Sequence, residues 1–116
     1  MYKRQQLIDT AALRYLQTAP VACGGISRLL KLGEQLHNTE IKLSLEVSST
    51  AVALLAACHY AAANNRVAHV EYHYLHQVFF EKINLMQPER GWISLPDIPG
   101  IGIELHDVET RFETHA

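Results

Sequence analysis

No stretch of the 116 residues holds the ~18 consecutive apolar residues that crossing a bilayer requires. The N-terminal MYKRQQLIDT turns polar at once and offers no apolar signal core, so a secreted protein is not expected. Cysteine is scarce. Cys23 and Cys58 cannot build a disulfide scaffold, and their small or apolar neighbours point to buried free thiols in a cytoplasmic chain. Charge of one sign is lacking as well. Ten Lys and Arg stand against twelve Asp and Glu, a formal charge of −2, which excludes nucleic-acid binding through a broad basic face. Neither a P-loop, a GxGxxG fingerprint, a GxSxG elbow nor an HExxH pair is present.

What is there is a globular composition, 48% hydrophobic and 19% charged. Apolar spacing predicts a helix over 4–14 and a short strand from Tyr15 towards Val21 that runs into a loop at Pro20. Ser27 is positioned to cap a helix over 26–37, whose stripe is Ile26, Leu29, Leu30, Leu32 and Leu36. Residues 41–47 alternate apolar and polar like a strand, and Ser48-Ser49-Thr50 offers caps for an Ala-rich helix over 51–63. A third strand is expected over 67–72 and a short helix over 75–86. The order α-β-α-β-α-β-α predicts parallel βα units. Beyond them, Trp92–Leu95 and Ile101–Leu105 flank a Pro-rich joint and read as a hairpin or two short strands, with a polar, frayed end over 110–116. Such a chain is an open α/β sheet or part of a (β/α)8 barrel, since a whole barrel needs ~250 residues.

Glu46 and Glu71 stand out because each lies near the C-terminal end of a strand. Parallel strands share that edge, and ligands bind there. Two carboxylates on neighbouring strands can act as acid and base or as metal ligands. Taken singly, each reads equally well as an exposed strand-end acid. His69, Glu71 and His73 would share a face if the strand continued, yet their spacing matches no established metal motif, and a surface cluster is the simpler reading. His59 reads as a partly buried, hydrogen-bonded side chain. Gly24 and Gly25, between a strand and a helix, could offer backbone amides to an anionic substrate, or simply make a tight turn. Tyr72, Tyr74, Phe79 and Phe80 read as core or interface.

Several segments together resemble one family. Tyr15-Leu16-Gln17 followed by Cys23-Gly24-Gly25-Ile26 resembles the sixth barrel strand and its helix in the mandelate racemase and muconate lactonizing enzyme group of the enolase superfamily. Ala68-His69-Val70-Glu71-Tyr72 resembles the eighth strand, which ends in glutamate there. Gly91 to Leu105 looks like the closing P-D-x-P-G-x-G segment. The resemblance covers nearly all of 5–108. It implies one partial domain over 1–116, a partial (β/α)8 barrel of about three parallel βα units over 4–90, and an extended, hairpin-like tail over 91–108.

The resemblance further implies Mg²⁺-assisted proton abstraction next to a carboxylate, leading to racemisation, cycloisomerisation or acid-sugar dehydration. The metal-binding acids belong to strands that precede this segment in the family, so no metal ligand and no cofactor is expected in this chain alone. The sixth-strand Asp or Lys position falls at Ala19, and the racemase histidine position at Glu46. Glu71 matches the glutamate that holds the substrate carboxylate. An isolated chain is expected to lack turnover. The alternatives are a truncated, self-associating relic or a small carboxylate-binding module. Because three barrel strands leave two open edges, a homo-oligomer or a missing N-terminal part is expected to cover Ile41, Leu43, Val70 and the Ala-rich helix.

Overall fold

Lys42-Leu43-Ser44-Leu45 has the period-two pattern of a strand buried on one face, and β2 (Lys42–Leu45) forms there as the centre of the sheet. The structure is a computed structural model that describes residues 2–81 and 87–103. β1 (Tyr15–Thr18) and β3 (Val67–Val70) lie parallel on either side of β2. The helices are α1 (Tyr2–Asp9), α2 (Pro20–Cys23), α3 (Ile26–Gln35), α4 (Ala51–Ala63) and α5 (Gln77–Glu81), the last preceded by a 3₁₀ turn over Tyr74–His76. Among the described residues no helix is long and apolar enough to cross a membrane.

The two sheet faces differ sharply. Ile41, Leu43, Leu45 and Val47 are buried, together with Leu16 and Thr18 of β1. Leu29, Leu32 and Leu36 from the α3 segment and Leu54, Leu55 and Tyr60 of α4 complete this core. Tyr15, Gln17, Lys42, Ser44, Glu46, His69 and Glu71 occupy the opposite face and are exposed or half-buried. Register places them there: Thr18, Leu45 and Val70 are cross-strand partners, and so are Ser44 and His69. The pairing skips Ala68, a one-residue irregularity in β3.

Local chemistry explains where the elements depart from sequence periodicity. α1 stops at Asp9 rather than running to residue 14. Thr10 turns its hydroxyl back to the Leu7 carbonyl at 2.6 Å, and Ala11 adopts φ 53°. β1 ends at Thr18, and Pro20 opens the helical turn α2, because the missing N–H costs nothing at a first helical position. Ser27 is not the cap of α3. The helix starts at Ile26, and the Gly25 carbonyl accepts from Arg28 and Leu29. Thr50 does cap α4, its hydroxyl accepting from the Ala53 amide at 3.3 Å. At the opposite end of the sheet, Arg66 donates to the carbonyls of Thr39 (2.7 Å) and His37, tying the loop after α3 to the turn before β3.

α4 is apolar on nearly every side, the pattern of a fully covered helix. Ile93, Leu95 and Ile103 of the tail pack against the core, and His59 meets the Ile101 carbonyl at 3.3 Å, so His59 is the half-buried, bonded side chain expected. The tail itself forms no hairpin over its described part. Glu89 and Trp92 exchange two backbone bonds around Arg90-Gly91, while residues 93–96 form no strand. Residues 104–105 and 110–116 lie outside the described residues, as do 82–86 of the expected helix 75–86.

Part of the surface expected to await a partner is buried within the chain itself. Ile41 and Leu43 are 3% and 0% exposed, Val70 is half-buried, and most of α4 is buried, because α3, α4 and the tail enclose them. Phe80 is buried and packs with half-buried Tyr72 at a ring separation of 5.0 Å, whereas Tyr74 is exposed. Cys58 is buried as expected, but Cys23 is only half-buried.

Two tests of this packing follow from single atoms. A Cβ on Gly33 would lie 2.5 Å from the Tyr60 hydroxyl, which donates to the Leu29 carbonyl and accepts from Asn64 Nδ2. Gly33→Ala is expected to cost about 1–3 kcal/mol in urea unfolding. Combined with Tyr60→Phe it should cost less than the sum of the two single changes, because the clash and the hydroxyl disappear together. Burial pushes the Cys58 thiol up from 9.0 to about 11, and it raises the Tyr60 phenol in the same direction. The unfolded thiol therefore loses its proton first. Stability that is complete below pH 9.0 is lost as pH rises through about 11. Urea midpoints across that window should fall, and fall less steeply in Cys58→Ala.

Candidate functional site

Beyond Leu45 and Val70 the ladder carries on for one more bond on each side of β2. The Glu46 amide donates to the Thr18 carbonyl at 2.8 Å, and the Glu71 amide donates to the Leu45 carbonyl at 2.8 Å. These bonds fix the backbone of both glutamates at adjacent strand ends. Ala19, Glu46 and Glu71 each follow one of the paired residues Thr18, Leu45 and Val70, so they form one layer across the C-terminal edge. Both glutamates are half-buried.

Glu46 borders a cleft of about 290 Å³ that also takes in Ala19, Pro20, Ser48, Ser49 and Ala53. The Ser48 hydroxyl donates to Glu46 Oε1, which orients the carboxylate. Glu71 does not line this cleft; it stands one strand away on the same edge. Alanine at position 19 leaves the β1 end of the layer without a polar group. One edge therefore holds two carboxylates: Glu46, with its hydroxyl donor, borders an opening whose walls are mostly small and apolar, and Glu71 stands one strand away from it. Such a set can accept a proton and, in its protonated form, donate a hydrogen bond to an anion.

Gly24 and Gly25 belong to a different surface. Their φ values of 88° and 99° make the joint between α2 and α3. Their amides donate to the carbonyls of Val21 (3.0 Å) and Pro20 (2.8 Å), so both donors are used within the turn. Neither glycine lines the Glu46 cleft.

The histidine cluster is divided by the end of β3. His69 is on the strand and points with Ser44 to the polar face, its Nε2 2.7 Å from Ser44 Oγ, and its ring 6.1 Å from that of Tyr15. His73 lies past the strand and does not share that face; its ring stacks on His76 at 4.6 Å. Ser44 and Ser48 were the polar partners that sequence reasoning missed. Ser44 sits two residues before Glu46 and His69 two before Glu71, so strand periodicity extended by one step finds that pair. Ser48 lies past the strand and carries no such signal.

Among the described residues no group of three or more His, Cys, Asp or Glu side chains is arranged to hold a metal ion. Glu46 and Glu71 by themselves do not fit the acid set that an enolase-type Mg²⁺ requires.

Comparison with known proteins agrees with this architecture. A family model described as enolase C-terminal domain-like matches residues 1–109. No curated protein and no solved structure matches the chain. The matched span contains all three strands and both edge glutamates, and the chain belongs to the enolase C-terminal domain-like family.

Proposed function

We propose that the chain is the C-terminal barrel segment of a mandelate racemase or muconate lactonizing type of enzyme, with Glu46 and Glu71 facing a carboxylate-bearing substrate. The observation that carries this reading is the register that sets Ala19, Glu46 and Glu71 in one layer within the family-matched span. In this reading Glu46 takes a proton from the carbon next to the substrate carboxylate, held for that role by the Ser48 hydroxyl. Glu71, when protonated, donates a hydrogen bond to the carboxylate itself.

The family's Mg²⁺ finds no fitting ligand set among the described residues, so its acids come from outside them in this reading. These residues bind and orient a carboxylate. They do not stabilise an enediolate unaided.

The test is titration of the chain with a 2-hydroxy acid such as mandelate, followed by backbone-amide NMR. Amide shifts are expected at Glu46, Ser48 and Glu71. Gln has the shape of a protonated Glu, so Glu71→Gln should bind about tenfold more tightly at neutral pH than Glu71→Ala, the worth of one charge-assisted hydrogen bond. Equal affinities, or shifts confined to another surface, would overturn the reading. Both edge glutamates are half-buried, and their Gln variants should stay within about 0.5 kcal/mol of the parent stability. A separate calorimetric titration with Mg²⁺ alone should show no heat at millimolar ion, and 2-hydroxy acids should undergo no exchange in D₂O at the carbon next to the carboxylate. Heat lost in both Glu→Gln variants would instead mean that copies of the chain assemble their own metal site.

A further inference from the structure

A second cavity, of about 460 Å³, lies behind β1 on the helix-covered side of the sheet. Its lining includes Arg4 of α1, Cys23 of α2, and Arg28 and Gln35 of α3. Thr18 shows which side this is. It is 5% exposed, it pairs with buried Leu45, and its hydroxyl lies 3.0 Å from Cys23 Sγ. Glu46 is on the other face, and the two openings share no lining residue: α2 gives Val21 and Ala22 to the Glu46 cleft and Cys23 to this one.

The cavity is cationic. Arg4 Nη1 donates to Cys23 Sγ at 3.2 Å, and neither Arg4 nor Arg28 is paired with a carboxylate among the described residues. Two guanidinium groups with no carboxylate beside them among the described residues, on walls that come from two helices, can hold carboxylates. Cys23, on α2, also lines the cavity and is half-buried. Cys58 differs in each respect: it is 8% exposed, absent from the cavity lining, and its thiol is pushed up to about 11 by burial.

We propose that this cavity takes a small carboxylate-bearing disulfide of the glutathione class and transfers half of it to Cys23. Arg4 and Arg28 hold the carboxylates, which brings the disulfide to Cys23 Sγ. The Cys23 proton leaves to solvent, the sulfur attacks one sulfur of the ligand, and the ligand's S–S bond breaks as the new one forms. The other half departs as a thiolate. Cys23 is oxidised, the departing half is reduced, and one disulfide is exchanged for another. The two arginines select the ligand, and the thiol records its arrival.

The test uses a dianionic aromatic disulfide, 5,5′-dithiobis(2-nitrobenzoate), beside a neutral one, 4,4′-dithiodipyridine. Thiol release is followed by absorbance, and the labelled cysteine is located by mass spectrometry. Cys23 should react ahead of Cys58 with both. Arg4→Ala with Arg28→Ala should lower the rate of the dianionic reagent relative to that of the neutral one about tenfold, the lower end of what a charged cleft adds to local concentration; the ratio cancels any change at the sulfur itself, to which Arg4 donates. The unsubstituted chain gives a second readout that does not depend on a variant's folding. Added salt should slow its reaction with the dianionic reagent and spare the neutral one. Glutathione disulfide should then give a mixed disulfide at Cys23. Equal slowing of both reagents, insensitivity to salt, or labelling of Cys58 first would each overturn the proposal.

Discussion

The whole C-terminal edge depends on the backbone ladder of β2. This strand pairs on both sides, and its flanks fix Glu46 against β1 and Glu71 against β3 through bonds of 2.8 Å each. The ladder in turn depends on burial of Ile41, Leu43, Leu45 and Val47 beneath the helices. Side chains on a strand alternate, so a one-residue slip of β2 would send these apolar groups to the polar face and bury Lys42, Ser44 and Glu46 instead. Burying even one unpaired carboxylate costs several kcal/mol. The same constraint that holds the core therefore fixes which face and edge Glu46 takes, and the Ser48 hydroxyl then orients its carboxylate.

The sheet divides two kinds of chemistry. On its polar face and C-terminal edge stand carboxylates, hydroxyls, an imidazole and the Lys42 ammonium. Behind β1 stand two guanidinium groups and a thiol. A chain with a formal charge of only −2 thus hides a strong local asymmetry. Net charge reports on solubility and long-range steering, and it is silent about such separation.

The central fold was legible where periodicity is unambiguous. The Ala-rich helix occupies the residues that its composition marks, and the three strand cores fall inside the expected runs. Legibility failed where a single side chain or one dihedral decides. The end of α1 is set by the Thr10 hydroxyl and the left-handed Ala11, the cap of α3 by Gly25 in place of Ser27 although the helix starts at the expected Ile26, and the turn of α2 by proline's tolerance of a first helical position. The tail misled for another reason. Apolar residues at Ile93, Leu95 and Ile103 signal burial, and they are satisfied by packing on the core without pairing into strands. Of the candidate site, the two glutamates and their shared edge were readable from strand ends. The committed amides of Gly24 and Gly25 were not, because hydrogen-bond partners within a turn leave no mark on spacing. How much of the apolar α4 is covered within the chain was not readable either, because the tail that packs over the core lies far along the sequence.

That cover arrives late. His59 meets the Ile101 carbonyl across 42 positions of sequence. At synthesis rates of 5–20 residues per second, α4 leaves the ribosome roughly 2–8 s before the segment that shields it. For that interval a nearly all-apolar helix lacks part of its cover, a form that chaperones hold and that other nascent chains can capture. The order in which its segments emerge is then part of how this chain folds, beside the contacts of the finished structure.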